Sequence, residues 1–548
     1  MRRHIARLAA IVAMAALLAP AAPAAASSAP PSPAGPDARL VGAATKFTGS
    51  WSAYHTYAEM VAEIKAVAAA HPDLVQLSVI GKSYQGRNLW LAKVSQDVTT
   101  DHGRPEVLFE GGTHALEHMG VEMTIRLLHW LADGYGSDTR ITKIVNSRTV
   151  WILFNLNPDG SEFDSTGSAF RSWRKNRQPN ANGTVGTDLN RNWNYRWGCC
   201  GLVSATPASA YYRGRTPFSA PEAEALRAFI ASRVVNGRQA IRTAVDFHES
   251  GRFVLWPYDY TKANVPADMT SMDRSVLSAL GKRMAASNGY KPMQSSDMYI
   301  DSGTLTDWLY GKYRTFAYTI EMGVNVYRTN AVMLAEVNRN RGAALALAEA
   351  AGCPYSLLGA AYATARCGAF DDDMEASRAW ATNPDGTDTA AAAGAWKRGA
   401  PAKVAAGGIT LQPGTVPTGR YAMVTGLAAG ATAGDGDLDG TTTLRSVPVT
   451  LPAGAGQQLA FHWFFGHLAD STADDHLRAI VEDAGGTQTV VWEQAGAATK
   501  QTGAWAYASV SLDAWAGQTI RLRFEASDGA DDSTVEAGID DVRVTRPS

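Results

Sequence analysis

The chain has 548 residues, 46% of them hydrophobic and 19% charged, with a formal net charge of −2 and four cysteines. That length is too great for one hydrophobic core, so two or three domains are expected. The near-neutral charge, with no basic stripe interleaved with aromatics, excludes a nucleic-acid surface, and the composition is ordinary for globular protein.

Arg2, Arg3 and Arg7 precede an apolar run from Leu8 to Leu18, and Ala24-Ala25-Ala26 offers a small-residue cleavage site. The run is too short to span a bilayer, so residues 1–26 read as an export signal and 27–46 as a short pro or linker segment. No later stretch reads as a membrane anchor. The mature protein is therefore expected to be secreted, soluble and monomeric. From Phe47 the pattern alternates between helix and strand. Tyr54 to Ala70 has apolar residues at helical spacing and is stopped by His71-Pro72-Asp73. Val75 to Val79 and Leu89 to Val94 read as strands around Tyr84-Gln85-Gly86, and Glu106 to Glu110 as a strand entering Gly111-Gly112-Thr113-His114. A helix follows over about Met119 to Leu131, with Met123 and Leu127 on its apolar stripe. Thr149 to Leu156 is apolar nearly throughout, which suits a strand buried on both faces, and it runs into a turn at Asn157-Pro158-Asp159-Gly160. The alternation predicts an α/β domain with a largely parallel or mixed sheet.

Chemistry concentrates at His114-Ala115-Leu116-Glu117, answered far downstream by Asp246-Phe247-His248-Glu249. Two imidazoles and one carboxylate can hold a zinc ion on three sides and leave the fourth for water. At the mouth of a helix, His114 and Glu117 would share one face. Arg171, Arg174, Lys175 and Arg177 place four cations within seven residues, Asp188-Leu189-Asn190-Arg191 adds an Asn-Arg pair, Tyr299 precedes Ser302-Gly303, and Glu321 ends the apolar strand Thr315 to Ile320. The cysteines fall into two local pairs, Cys199 with Cys200 and Cys353 with Cys367, although cross-pairing stays open.

After Cys367 the helical periods give way to seven short alternating runs between Arg445 and Val544, separated by Gly, Asp and Ser turns. These predict an all-β sandwich over 373–548, joined to a catalytic domain over 47–352 by a linker at 353–372. Asp435, Asp437 and Asp439 alternate as in a calcium loop but lack the Glu of an EF-hand. A solvated acidic turn is the preferred reading, with Ca2+ as the alternative if Asp371, Asp372 and Asp540 meet there. Trp463, Trp492, Trp505 and Trp515 are core candidates, with sugar stacking as the alternative, so glycan or protein contact through this domain is an expectation.

Taken together and in this order, the motifs from Phe47 to Gly323 resemble those of the zinc carboxypeptidases, the metallocarboxypeptidase A/B/T family. The match includes Asn157-Pro158-Asp159-Gly160 and the segment His248-Glu249-Ser250 followed by Trp256-Pro257-Tyr258. The resemblance implies a mixed, twisted eight-stranded sheet in an α/β/α sandwich. It implies that His114, Glu117 and His248 bind one Zn2+, that Asp188 orients the first His, and that Glu321 serves as general base and acid. It also implies that Arg174 stabilises the oxyanion, that Asn190 and Arg191 bind the free C-terminus of a peptide, that Tyr299 closes over it, and that Thr306 lines the side-chain pocket. The sandwich resembles the jelly-roll, loosely MAM-like modules of secreted bacterial proteases.

Three departures bear on function. Leu116 stands where the family often has Arg, removing one cation that could assist an incoming peptide. The 27–46 segment is too short for a large inhibitory prodomain. Thr304, Leu305 and Thr306 are uncharged, so neutral C-terminal residues are expected to be preferred, although Asp301 lies close in sequence. His114 to His118 also reads HxxEH, the inverted zincin signature with His118 as ligand and Glu117 as base, which would leave Arg174, Asn190, Arg191, Tyr299 and Glu321 unexplained. A murein peptide hydrolase of the same fold and an inactive adhesion domain are the alternative functions.

Overall fold

The first helix, α1 (Tyr57–Ala70), begins at a capping box. Thr56 Oγ1 accepts from the Glu59 N–H at 3.2 Å, and Glu59 Oε2 accepts from the Thr56 N–H at 2.9 Å. Met60, Ile64 and Val67 form its buried stripe. The computed structural model describes residues 54–545 apart from 100–103, 168, 236–237, 375–379, 418–419, 428–436 and 530–532. The export signal and the segment to residue 46 lie outside the described residues.

Eight strands follow: β1 (Val75–Lys82), β2 (Asn88–Val94), β3 (Glu106–Gly111), β4 (Thr149–Leu153), β5 (Ile241–Glu249), β6 (Phe253–Trp256), β7 (Lys291–Gln294) and β8 (Phe316–Met322). They form one sheet in the order β1-β2-β4-β3-β5-β8-β6-β7. β4, β3, β5 and β8 run parallel, while β1, β2 and the β8–β6 pair are antiparallel to their neighbours. The sheet is thus mixed, as the alternation and the resemblance imply. β3 and β4 are buried at every position, because helices cover both faces.

On one face lie α1, α2 (His118–Asp133), α3 (Thr139–Ser147), α6 (Ser271–Asn288), α8 (Asn330–Arg339) and α9 (Arg341–Ala350), sealing a core that contains Phe109, Leu127, Phe247, Leu280 and Ile320. On the other lie α5 (Pro221–Ser232) and α7 (Leu305–Tyr313), over Leu108, Leu153, Trp193 and Ala244. Parallel central strands between two helical layers leave their carboxyl ends at one rim, where α/β sheets carry their sites.

Two local expectations differ. Asn157-Pro158-Asp159-Gly160 does not remain a turn but starts α4 (Pro158–Ser165), because Asn157 Oδ1 accepts from the Gly160 N–H at 3.1 Å and Pro158 takes the first helical position. His114 and Glu117 do not share a helical face. They lie in the turn before α2, with Glu117 as its cap residue.

From Gly368 on, two antiparallel sheets face one another. One has Val535–Thr545 and Gln458–His467 at its centre, the other Thr519–Ser527 and His476–Glu482. Phe461, Phe465, Leu477, Phe524 and Ile539 fill the space between them. Half-buried, Trp463 and Trp492 pack on each other at 4.7 Å and Trp505 on Phe464 at 4.9 Å, at the margin of that core.

The calcium alternative is not assembled among the described residues. Asp437 Oδ1 accepts from the Val535 N–H at 2.9 Å, Asp371 pairs with Arg543 at 3.2 Å, and Asp372 accepts from Trp380 Nε1 at 2.8 Å, while Asp435 lies outside the described residues. Cys199 is bonded to Cys200 and Cys353 to Cys367. Buried Arg104 reaches across to the sandwich, donating to the Pro417 carbonyl at 2.7 Å and to the Gln96 carbonyl at 2.6 Å. Among the described residues no helix is long and apolar enough to cross a membrane.

Leu127 is 1% exposed in the core under α2. Leu127→Ala is expected to destabilise this part of the chain by about 2–5 kcal/mol, read as an earlier transition in a urea titration followed by tryptophan fluorescence.

Candidate active site

The site forms where β3, β5 and β8 end side by side. Gly111 pairs with Phe247, and Glu321 pairs with His248. Beyond β3 the chain turns sharply at Gly112, whose φ of +75° disfavours a side chain and where a Cβ would lie 2.6 Å from Asn155 Oδ1. Gly120 lets α2 approach β5 closely, since a Cβ there would lie 2.6 Å from the Phe247 carbonyl. That approach presses the start of α2, and Glu117 with it, against His248.

Glu117 joins the two imidazoles. Its Oε1 lies 2.8 Å from His114 Nδ1 and its Oε2 2.7 Å from His248 Nδ1, and the two Nδ1 atoms are 3.0 Å apart. The outer ring nitrogens are engaged by carboxylates. His114 Nε2 lies 3.1 Å from Asp188 Oδ1, and His248 Nε2 lies 2.6 Å from Asp246 Oδ2. Each outer carboxylate favours a proton on Nε2, leaving both Nδ1 lone pairs to converge with Glu117 on one point. All three residues are at least 95% buried. Lone pairs crowded so closely repel unless a positive centre lies among them.

The carboxylates around the rings favour positive charge at the point where they meet. Burial alone would lower the His248 pKa, but Asp246 and Glu117 hold it well above the usual value. Burial would raise the Glu117 pKa, but His114 and His248 hold it below the carboxylate range. The donor set of two imidazoles and a carboxylate fits zinc, and among the described residues it is the group of three His, Cys, Asp or Glu side chains placed to hold a metal. Behind it, Glu110 is pushed well above its ordinary pKa by burial and by Asp246, with Thr113 Oγ1 donating to Glu110 at 3.0 Å.

Around this centre stand the other residues singled out in the sequence. Asp188 also accepts from Arg174 Nε at 3.0 Å, and Arg174 Nη1 lies 3.8 Å from Glu117 Oε1. Although burial would raise it, Arg174 and His114 keep Asp188 below the carboxylate range. Glu321 Oε2 is buried with no hydrogen-bond partner. Burial, reinforced by Glu117 and opposed by His248 and Arg174, pushes its carboxyl up to about 8. Asn190 Oδ1 accepts from the Leu305 N–H at 3.0 Å, and its Nδ2 lies 3.5 Å from His248 Nε2. Tyr299 is half-buried. Its hydroxyl is raised first by burial and then by Asp301, within the fields of Arg191, Glu321 and Arg174. His118 faces away, its Nε2 2.9 Å from Asp164 Oδ2 among Tyr54, Phe170 and Tyr327, so the HxxEH reading has no metal ligand there.

Two contacts come in addition to those expected from the sequence. The Arg191 fork is already engaged, its Nη2 2.6 Å from Asp301 Oδ2, its Nε donating to the Leu202 carbonyl and its Nη1 to the Asn190 carbonyl, both at 2.7 Å. The Thr304–Thr306 segment is not free of carboxylates: Asp259 Oδ2 accepts from Thr304 Oγ1 at 2.6 Å and from Thr306 Oγ1 at 3.1 Å. Neither contact was readable in the sequence, since Asp259 lies 47 residues from Thr306 and its partner carries no charge. Asp246 could have been found from its place two residues before His248 on a strand, which puts both on one face.

The sequence profile of the family described as zinc carboxypeptidase matches residues 60–340, ending before the sandwich. The zinc carboxypeptidase of Saccharothrix mutabilis subsp. capreolus is 41% identical over 318 residues, 57% of this chain and 73% of that one. Carboxypeptidase A1 of Sus scrofa is 30% identical over 284 residues, 51% of this chain and 65% of its own. The crystal structure of a carboxypeptidase A from Helicoverpa armigera superposes with a TM-score of 0.51 at 23% identity, covering 59% of this chain and 80% of that one, a likeness of fold.

His118→Ala is expected to keep one zinc per chain in metal analysis, whereas His248→Ala loses it. Loss of zinc in the first variant would move the ligand set to His118.

Proposed function

Because this chain belongs to the zinc carboxypeptidase family, we propose that it is an exported peptidase that removes single residues from the free C-termini of peptides. The observation that carries the reading is the buried convergence of His114, Glu117 and His248 beside a Glu321 oxygen that has no partner.

His114 Nδ1, His248 Nδ1 and Glu117 would hold the zinc, with Asp188 and Asp246 fixing the ring orientations. When bound, zinc supplies a Lewis acid and brings the pKa of water to about 7. Glu321 Oε2 takes the proton of the attacking water and returns it to the leaving nitrogen. Its burial favours this exchange, because a raised pKa makes the carboxylate a stronger acceptor.

Arg174 is anchored on Asp188 and directs its terminal N–H groups toward the oxygen where negative charge develops; one such donor contributes about 3–4 kcal/mol to lowering the barrier. Arg191 and Asn190 receive the terminal carboxylate, for which a guanidinium fork is suited. Asp301 holds that fork in place beforehand. A bond inside a chain offers no carboxylate there, so cleavage is restricted to chain ends. Tyr299 covers the bound terminus, and Leu305 with Thr306 accommodates a neutral side chain.

A blocked dipeptide with a free C-terminus is expected to be hydrolysed, its C-terminal amide to resist, and a chelator to abolish the reaction. Equal cleavage of the amide would refute the exopeptidase reading. Glu321→Gln is expected to lower kcat by about 10²–10⁴-fold with zinc content unchanged. Glu321 must be ionised to accept the proton, so kcat/KM falls as pH drops through its pKa. Burial raises that pKa toward about 8, and positive charge at the ligand set lowers it, so the acid limb of the profile should lie between the ordinary Glu value of about 4.3 and 8.

A further inference from the structure

The two halves of the chain meet around a cavity of about 530 Å³ whose walls carry three guanidinium groups. Arg148, between α3 and β4, and Arg242, near the start of β5, come from the first half, and Arg543 comes from the sandwich strand Val535–Thr545. The segment joining the halves, closed by the Cys353–Cys367 disulfide, forms another wall. A volume of this size suits a small-molecule site.

One of the three cations has no counter-charge. Arg543 is paired with Asp371 at 3.2 Å and with Asp541. Glu349 also lines the cavity, but its carboxylate is committed to Arg140 and Arg283, both at 2.6 Å. Half-buried Arg148 meets no carboxylate among the described residues. Its Nη1 donates to the Ser147 carbonyl at 2.6 Å and its Nη2 to the Glu349 carbonyl at 3.2 Å, while its Nε is buried with no partner. Gly352 makes room for it, since a Cβ there would stand 2.0 Å from Nη2, and Arg242 Nη1 reaches the carbonyl of the same glycine at 3.4 Å. Burial lowers the Arg148 pKa to about 10, and Arg543 and Arg242 push it the same way against Asp371 and Asp541. Cations drawn together out of water are costly, and an anion seated between them offsets that cost.

A guanidinium fork matches the oxygens of a phosphoryl group two at a time, and forks on different elements can take different oxygens. We propose that the cavity between the two halves binds a phosphate group, free or carried as an ester, held by Arg148 and Arg242 from one side and by Arg543 from the other. Such an anion joins the halves. Tyr507, which lines the cavity and is 47% exposed, offers a ring face to an organic group carried by the phosphate. The competing role is structural: Arg148 donates to carbonyls at the ends of α3 and α9, as basic residues near helix C-termini do.

The test titrates the zinc-loaded full chain calorimetrically with inorganic phosphate, glycerol 3-phosphate and acetate at one ionic strength. Wild type is expected to bind phosphate or its ester with a Kd about tenfold or more below that for acetate, and Arg148→Gln to weaken that event by about tenfold or more. Phosphate bound at the zinc centre would persist in the variant and is told apart in this way. Arg242→Gln, expected to weaken the same event, decides the matter if Arg148→Gln does not fold. An ester bound at least as tightly as the free ion marks a phosphate carried on a larger molecule, and an ion bound more tightly marks a free one. Phosphate bound no more tightly than acetate overturns the proposal. So does a folded variant that binds phosphate as wild type does, and an earlier thermal transition in that variant would leave Arg148 as a helix cap.

Discussion

The structure depends on one demanding arrangement: two imidazole nitrogens and a carboxylate brought together inside the protein at the rim of the parallel strands of a mixed sheet. The Nδ1 atoms of His114 and His248 stand 3.0 Å apart with Glu117 between them. Nothing in hydrophobic packing rewards that contact. It persists because the backbone around it is over-determined, by the tight turn at Gly112, the close approach of α2 at Gly120, and the in-register pairing of β3, β5 and β8. A scaffold that holds ligands in place before an ion arrives has met their ordering cost in folding, which favours tight binding.

The charges behind the centre are graded. Asp188 and Asp246 are held low despite burial, each by an imidazole, while Glu110, one strand over, is pushed up by burial and by Asp246. Two full charges on Glu110 and Asp246 would stand side by side in a site of low dielectric, which is why their titrations are driven apart. Asp188 also ties the His114 ring to the Arg174 guanidinium, so metal ligand and oxyanion donor are oriented by the same carboxylate. Disturbing Asp188 would therefore move two parts of the machinery at once. Glu321 is the counterpart of this order, with an oxygen left without a partner where a proton has to be carried.

The second half of the chain is built on other terms. Its core is apolar and lies between two antiparallel sheets, and its acidic residues are used as turn caps and ion-pair partners. Arg104 ties it to the first half through backbone carbonyls, a contact that fixes position without contributing to the chemistry.

How much of this the residues declare by themselves follows from the range of the forces involved. The helical stripe of α1, the fully apolar run of β4, and the capping box at Thr56 are local, and spacing alone reveals them. The ligand types His114, Glu117 and His248 could be singled out because zinc chemistry restricts the choice to a few side chains. What spacing could not reveal is where a side chain ends when its partner is remote. Asn157 as a helix cap in place of a turn, and Glu117 before a helix in place of on it, are matters of backbone geometry over a few residues. Asp301 on Arg191 and Asp259 beneath Thr306 are decided over tens of residues by the sheet order and by the path of the 299–306 segment. Sequence thus determined which chemistry the chain can perform, because donor atoms are a property of residue type. Tertiary structure alone decided which charges are paired and which are left for a substrate, because burial and counter-charges exist only once distant segments have met.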